Sequence, residues 1–415
     1  MNNHHRDDSE LIELLADLVR IRSVNPNYAD GVPELACAEF VEQYLRGAGL
    51  EVWRQEVFEN RPNILARLPG RDRQRQIIFE AHMDTVSTQG MTIDPFQPTI
   101  ELGRLFGRGS CDTKAGLAAM MHAICGLARA GIQPPCDILL AATIDEEYSY
   151  RGVLALCAGE HWQASTDSSS TSLASLSDPT DFIQAAASSG LRGQLAVIAE
   201  PTSLRLVVAS KGVLRWQIET IGLAAHSSKP HLGRNAITAM SRVIQALEKD
   251  SDELTQSRHP LLGSPTLNIG VIRGGVQVNF VPDRCVIEVD RRLIPGETWR
   301  TAFDHYQRLM DELMRQVPSL NIVMHPPMLT DWPLDCPTDS PQVQHLSAIL
   351  GQMQLDGQPI GVPFGSDASK LAAIGIPSVI YGPGSIDQAH AAVEFVDCQQ
   401  VIIAAEFYRR VMLSH

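Results

Sequence analysis

Residues 138–144, Ile-Leu-Leu-Ala-Ala-Thr-Ile, form an apolar run that follows Pro134-Pro135 and ends in three consecutive carboxylates, Asp145, Glu146 and Glu147. A run of this length between breakers and charge predicts a buried strand. Three adjacent carboxylates where such a strand surfaces are costly unless something positive neutralises them. Successive side chains of an extended chain point in different directions. One carboxylate of the Glu146-Glu147 pair can therefore hold a cation while its neighbour faces water. The run alone leaves a second reading open, a solvated acidic turn.

The surrounding pattern supplies the fold. Apolar residues recur at helical spacing over 9–21, 34–46 and 114–130, and strand-like runs occupy 77–79 and 195–199. Strands alternating with helices predict an α/β domain with a largely parallel sheet. From about residue 206 the pattern changes to strands at 207–209, 214–221, 267–271 and 286–292, with helices at 235–247, opened by the N-cap residue Asn235, and 299–314. After Pro326-Pro327 the α/β features return, with a strand at 376–381 and a largely helical stretch from Glu394 to Leu413. The parse is a catalytic, metal-binding domain of residues 1–204 and 327–415 interrupted by an inserted α+β domain, 205–326. Residues 164–189 are rich in Ser, Thr, Asp and Ala and are expected to be a flexible surface insertion.

Composition limits the partners. With 415 residues, a net charge of −14 and no dense Lys/Arg block, the chain is a poor candidate for nucleic-acid binding or for docking on anionic membranes. No run approaches the ~20 apolar residues of a membrane span, and the N-terminal stretch has no apolar leader core, so a cytoplasmic location is expected. The eight cysteines are scattered without CxxC spacing and are expected to be reduced thiols.

In an open α/β sheet, ligands gather beyond the C-terminal ends of the strands. The residues at those ends are His82 and Asp84, then Asp145, Glu146 and Glu147, then Glu200. Asp112 lies just ahead of the helix at 114–130, and His390 follows the strand at 376–381. Imidazoles with carboxylates suit zinc or a similar divalent ion, and one bridging carboxylate can hold two such ions ~3.5–4 Å apart. Neither a GxxxxGK[ST] phosphate loop nor an HExxH or GxSxG motif is present.

The segments Ala81-His82-Met83-Asp84-Thr85-Val86, Gly107-Arg108-Gly109-Ser110-Cys111-Asp112-Thr113-Lys114, Asp145-Glu146-Glu147 and Glu200-Pro201-Thr202 resemble the successive signatures of one family. It is the dinuclear-zinc amidohydrolase and metallopeptidase family of acetylornithine deacetylase, succinyl-diaminopimelate desuccinylase, aminoacylase and glutamate carboxypeptidase. Residues 382–390, Gly-Pro-Gly-Ser-Ile-Asp-Gln-Ala-His, resemble the acetylornithine deacetylase version. The resemblance implies two divalent metal ions, zinc in the first instance and cobalt as the alternative. It makes Asp112 the bridge, His82 and Glu200 the remaining ligands of one ion, and Glu147 and His390 those of the other. Glu146 would be the general base, and Asp84 would orient His82 through its second ring nitrogen. The inserted domain would be the family's lid and dimerisation domain, giving a homodimer. Its His226, in Gly222-Leu223-Ala224-Ala225-His226-Ser227-Ser228, would reach a neighbouring subunit's active site and polarise the scissile carbonyl.

Substrate contacts are also implied by the resemblance: Asn279, Arg292 of Asp290-Arg291-Arg292, and Gly365 of Gly365-Ser366-Asp367. Strand alternation places Arg292 on one face with Glu288 and Asp290, so a salt bridge to either acid is the competing role for it. Glutamate at position 200 is typical of the family's deacylases. The expected substrate is thus a small N-acyl amino acid, N-acetylornithine or N-succinyl-diaminopimelate in type. The alternatives are a dinuclear carboxypeptidase or dipeptidase acting on short peptides, and a non-catalytic ligand-binding or scaffold protein on the same fold.

Overall fold

A computed structural model describes residues 2–159 and 191–414. The Ser-rich stretch 164–189 lies outside the described residues. The chain divides into two compact units, the first made of Met1–Val208, Cys336–Ile360 and Ser366–His415, the second of Ala209–Asp335 and Gly361–Gly365.

The first unit is built on a mixed sheet ordered Glu51–Phe58, Arg61–Leu68, Cys136–Thr143, Asp72–His82, Leu195–Ile198, Ser378–Ile380. The last four run parallel. The flank is antiparallel, because Glu51–Phe58 and Arg61–Leu68 form a hairpin closed by Glu59-Asn60, with Asn60 at φ 59°. Cys136–Thr143 is buried along its whole length, as its apolar composition requires. The register pairs His82 with Thr143 and Glu80 with Ile198, so neighbouring parallel strands release the chain at one edge.

Lys114–Arg129 lies against the strands Asp72–His82 and Cys136–Thr143 and is packed in turn by Asn2–Arg20 and Cys398–Ser414. Its first residue is a fully buried lysine, whose Nζ donates to the carbonyls of Leu18 and Ile21 at 2.9 and 2.7 Å. These carbonyls sit at the end of the first helix, where backbone acceptors lack partners within the helix and the dipole favours a cation.

One element differs from the sequence expectation. The helix expected from Glu394 starts only at Cys398, and Phe395–Asp397 is a strand pairing antiparallel with Arg104–Phe106. Ring contact between Phe395 and Phe106, with centroids 5.3 Å apart, and burial of Val396 stabilise the extended form. Tertiary packing overrides the helical periodicity there.

The second unit has an antiparallel sheet ordered Thr266–Gly274, Arg284–Leu293, Gly212–Ile221, Ile322–Met324, with Leu329–Asp331 also on Gly212–Ile221. The helices Ala236–Leu254 and Trp299–Gln316 pack on it around a core that includes Trp216, Met240, Ile287, Val289 and Tyr306. Asn235 caps the first helix by accepting from the Thr238 N–H at 3.0 Å. Among the described residues no helix is long and apolar enough to cross a membrane.

Candidate metal centre

The parallel strands place their terminal residues together. His82 closes the strand Asp72–His82, Glu146 and Glu147 follow Cys136–Thr143, Glu200 follows Leu195–Ile198, and His390 comes from the loop beyond Ser378–Ile380. Asp112 precedes the helix Lys114–Arg129. Among the described residues two donor groups form, His82 with Asp112 and Glu200, and Asp112 with Glu147 and His390; within each, the ligating atoms all lie within 4.8 Å of one another. Asp112 belongs to both. Its Oδ1 lies 3.2 Å from His82 Nε2, and its Oδ2 lies 3.4 Å from His390 Nε2. The two carboxylate oxygens thus face different histidines, which is the arrangement a bridging ligand needs. Glu147 Oε2 lies 3.2 Å from the same His390 nitrogen. Glu146, the adjacent residue, is in neither group.

Hydrogen bonding selects the ligating nitrogen of His82. Nδ1 lies 2.9 Å from the main-chain oxygen of Asp84, an acceptor only, so Nδ1 carries a proton and Nε2, which faces Asp112, is the nitrogen available to ligate a metal. The Asp84 carboxylate is farther, its Oδ1 3.6 Å from Nδ1. It accepts instead from the Glu146 N–H at 3.1 Å and the Glu147 N–H at 3.2 Å. Asp84 therefore meets His82 mainly through its backbone, and its side chain holds the turn that carries the two glutamates.

The charges match divalent cations. Burial pushes Glu146 and Glu200 well above the usual carboxylate range and Glu147 up to about 6, with the neighbouring acids adding to each shift. Burial alone would raise Asp112 as well, but His390 and His82 hold it low. His390 is raised to about 10 by Asp112 and Glu147. For His82, burial favours the neutral ring, yet Asp112, Glu146 and Asp84 lift it well above its ordinary value. A cluster this rich in buried carboxylate with only two imidazoles to balance it fits a pair of divalent ions, whose charge would keep all these acids ionised.

The loops around the donors are fixed by groups the sequence reading missed. Glu394, buried, accepts from the Cys111 N–H at 2.9 Å and the Asp112 N–H at 3.1 Å, and its other oxygen accepts from Arg108 at 2.6 Å. It anchors the backbone of the bridging residue. The signal was a glutamate four residues past His390, hidden by assigning Glu394 to a helix. In the helix Arg151–Ala158 that follows the Glu146–Glu147 turn, a Cβ on Gly152 would lie 2.2 Å from the Ile144 oxygen. Only glycine permits that approach.

The remaining expected residues belong to the second unit. His226 ends a two-residue strand paired with Phe280–Val281 and is exposed. The Ser228 N–H donates to its Nδ1 at 3.1 Å, so in the neutral ring Nε2 carries the proton. Asn279 is exposed, and its main-chain oxygen accepts from the Ser227 N–H at 3.0 Å. Arg291 is buried against Tyr306 and Glu297, whereas Arg292 lies on the other face with Nε 2.8 Å from Asp290 Oδ1, the competing salt bridge. Gly365 faces Asp331, whose Oδ2 would lie 2.5 Å from an added Cβ.

The chain matches the profile of Peptidase family M20/M25/M40 over residues 78–414. It is 30% identical over 397 residues to an acetylornithine deacetylase of Proteus mirabilis, covering 93% of this chain and 92% of that one. Acetylornithine deacetylase of Myxococcus xanthus is 26% identical over 381 residues, covering 89% of each chain. Among solved structures, a tripeptidase from Staphylococcus aureus superposes with a TM-score of 0.74 at 18% identity, covering 98% of this chain and 99% of that one. A dinuclear metal binding peptidase of the M20 family from Bacillus subtilis gives a TM-score of 0.69 at 14% identity, covering 99% and 98%. The chain belongs to Peptidase family M20/M25/M40 and is a hydrolase acting on amide bonds.

Proposed function

We propose that this enzyme removes the acyl group from a small N-acyl amino acid of the N-acetylornithine or N-succinyl-diaminopimelate type, using two divalent metal ions. The observation that carries the reading is the split of Asp112 between two donor groups, with Glu146 beside them and in neither. His82, Asp112 and Glu200 would hold one ion, and Asp112, Glu147 and His390 the other. Bound there, the ions would act as Lewis acids toward the attacking water and the scissile carbonyl. Zinc is the first expectation for this donor set, with cobalt as the alternative.

Glu146 takes the proton of the attacking water and returns it to the departing amine. Water adds at the acyl carbon, the C–N bond breaks, and a carboxylate and a free amino acid leave. Asp84 holds the Glu146–Glu147 turn through its two backbone hydrogen bonds. His226, whose Nε2 carries the proton in the neutral ring, would stabilise the oxyanion as a donor, and Arg292, Asn279 and Gly365 would contact the amino-acid moiety.

The relatives described as acetylornithine deacetylases support the deacylase reading over the peptidase one, since they are 26% and 30% identical to this chain while the tripeptidase, at 18%, shares the fold alone. Turnover of acetylornithine, succinyl-diaminopimelate, acetylated neutral amino acids and dipeptides, with zinc or cobalt added, tests it. We expect the acylated basic amino acids to be cleaved with the highest kcat/KM. Turnover confined to dipeptides would sink the deacylase assignment.

A homodimer through the second unit is part of the same reading. Thr266–Gly274 is an outermost strand there among the described residues, and Ile272, Val276, Val278 and Phe280 near it are exposed. Such an edge is a ready template for pairing with a second copy. Sedimentation should give twice the chain mass, and mixing a His226→Ala chain with a Glu146→Gln chain should restore activity if His226 serves the partner's site. Monomeric behaviour with full activity would rule the arrangement out. A cytoplasmic location is the matching proposal, supported by eight cysteines of which none is disulfide-bonded among the described residues. No nucleic-acid or membrane partner is proposed.

A further inference from the structure

We infer that Asn25 is a positioning residue for this hydrolysis, aiming Glu146 through a buried chain that runs Glu34–Arg61–Asp145–Asn25–Asp84. The inference rests on the reading of Glu146 as the base. Every side chain in that chain except Arg61 is fully buried, and Arg61 is nearly so.

The chain starts from the turn. Asp84 Oδ1 and Oδ2 accept the N–H groups of Glu146 and Glu147, so the orientation of this carboxylate sets the path of both residues. What orients Asp84 is Asn25, whose Nδ2 donates to Asp84 Oδ2 at 2.8 Å. The second hydrogen of the same nitrogen goes to Asp145 Oδ1 at 3.0 Å. The amide cannot be turned over, because its oxygen accepts the Asn27 N–H at 3.1 Å and the Asn27 side-chain nitrogen at 2.9 Å. All four hydrogen-bonding positions of the side chain are in use.

Asp145 lies on the other side of the same turn. It immediately precedes Glu146, adopts a left-handed backbone at φ 67°, and its main-chain oxygen accepts the N–H groups of Ser149 and Tyr150. Its carboxylate is fixed by Arg61 at 3.0 Å and by the Ser149 hydroxyl. Arg61 is itself clamped by a two-pronged pair with Glu34, 2.6 Å at each prong. Two buried carboxylates, Glu34 and Asp145, thus meet one guanidinium, while the third, Asp84, meets the Asn25 amide. Between Asp84 and Asp145 no cation intervenes among the described residues, and the Asn25 amide is what holds these like charges at a set spacing. Serine or leucine at position 25 could not bond both carboxylates, since serine has one hydroxyl hydrogen and leucine no donor. Glu147 has an additional hold on its place through His390, whereas among the described residues Glu146 is held by the turn.

The test compares wild type, Asn25→Ala, Asp145→Asn and the double variant, all loaded with zinc, for kcat, KM, metal content and melting temperature. The wild type comes first: absence of bound metal or of any amide turnover counts against the functional reading itself. Given an active wild type, we expect Asn25→Ala to keep two ions and its KM, while kcat falls roughly 30- to 100-fold, the scale of a small misalignment of a catalytic group. The double variant should lose no more than the worse single one, since both act on one turn. A kcat within about threefold of wild type, loss of an ion, or fully additive losses would overturn the inference. Should Asn25→Ala fail to fold, Asp145→Asn, which keeps the side-chain volume, decides by the same split between kcat and KM.

Discussion

Glu146→Gln should lower kcat by about 10³-fold or more while leaving both metal ions bound, a loss of roughly 4 kcal/mol of transition-state stabilisation. The amide keeps the size of the side chain but cannot take a proton from water. Glu146 is in neither donor group, so its charge is not needed to hold an ion. Its backbone N–H, bonded to Asp84, is unaffected by the substitution. KM should therefore stay close to that of the wild type, and the crippled enzyme should still bind substrate. Steady-state kinetics with metal analysis of the same preparation checks this. Loss of an ion together with activity would make Glu146 a ligand and would transfer the base to another group.

Asp112→Asn should produce an equally large loss by a different route. The two oxygens of Asp112 face His82 and His390 separately, and a carboxamide offers one oxygen and no charge. Metal content should drop from two ions per chain to one or fewer, with activity down by about 10³-fold or more. The path of the loop should survive, because Glu394 holds the backbone N–H groups of residues 111 and 112 rather than the side chain. Metal-free wild type and metal-free variant should thus have similar melting temperatures, and the difference should appear only when zinc is added. A variant that keeps two ions and normal kcat would show that the carboxylate does not bridge.

The readable part of the molecule was that governed by local rules. The buried strand 138–144, the capped helix after Asn235 and the inward-outward alternation at Arg291 and Arg292 follow from periodicity, and each is seen in the structure. Strand ends were also readable as a set, since parallel strands must release their chain at one edge, and His82, Glu147, Glu200 and His390 do converge around Asp112. The antiparallel hairpin at the sheet flank and the strand Phe395–Asp397 were not, because both depend on what lies alongside them.

The supporting groups were the least legible. Asn25 and Arg61 lie in no motif of the sequence, and Glu394 reads as the start of a helix. Each acts over a long separation, with Glu394 reaching back to residues 111 and 112 and Asn25 spanning to Asp84 and Asp145. Nothing within a window of ten or twenty residues records such a contact.

Sequence by itself determined the chemistry available at the sheet edge: which carboxylates and imidazoles are there, and in which order the strands present them. Only the tertiary structure decided how that chemistry is divided, sending the two oxygens of Asp112 to different histidines and the Asp84 carboxylate to the backbone of Glu146 and Glu147 rather than chiefly to His82. The reason is physical. Residue type and period set what a side chain can do, but the direction of a hydrogen bond inside a buried network is set by which groups the folded chain leaves without any other partner.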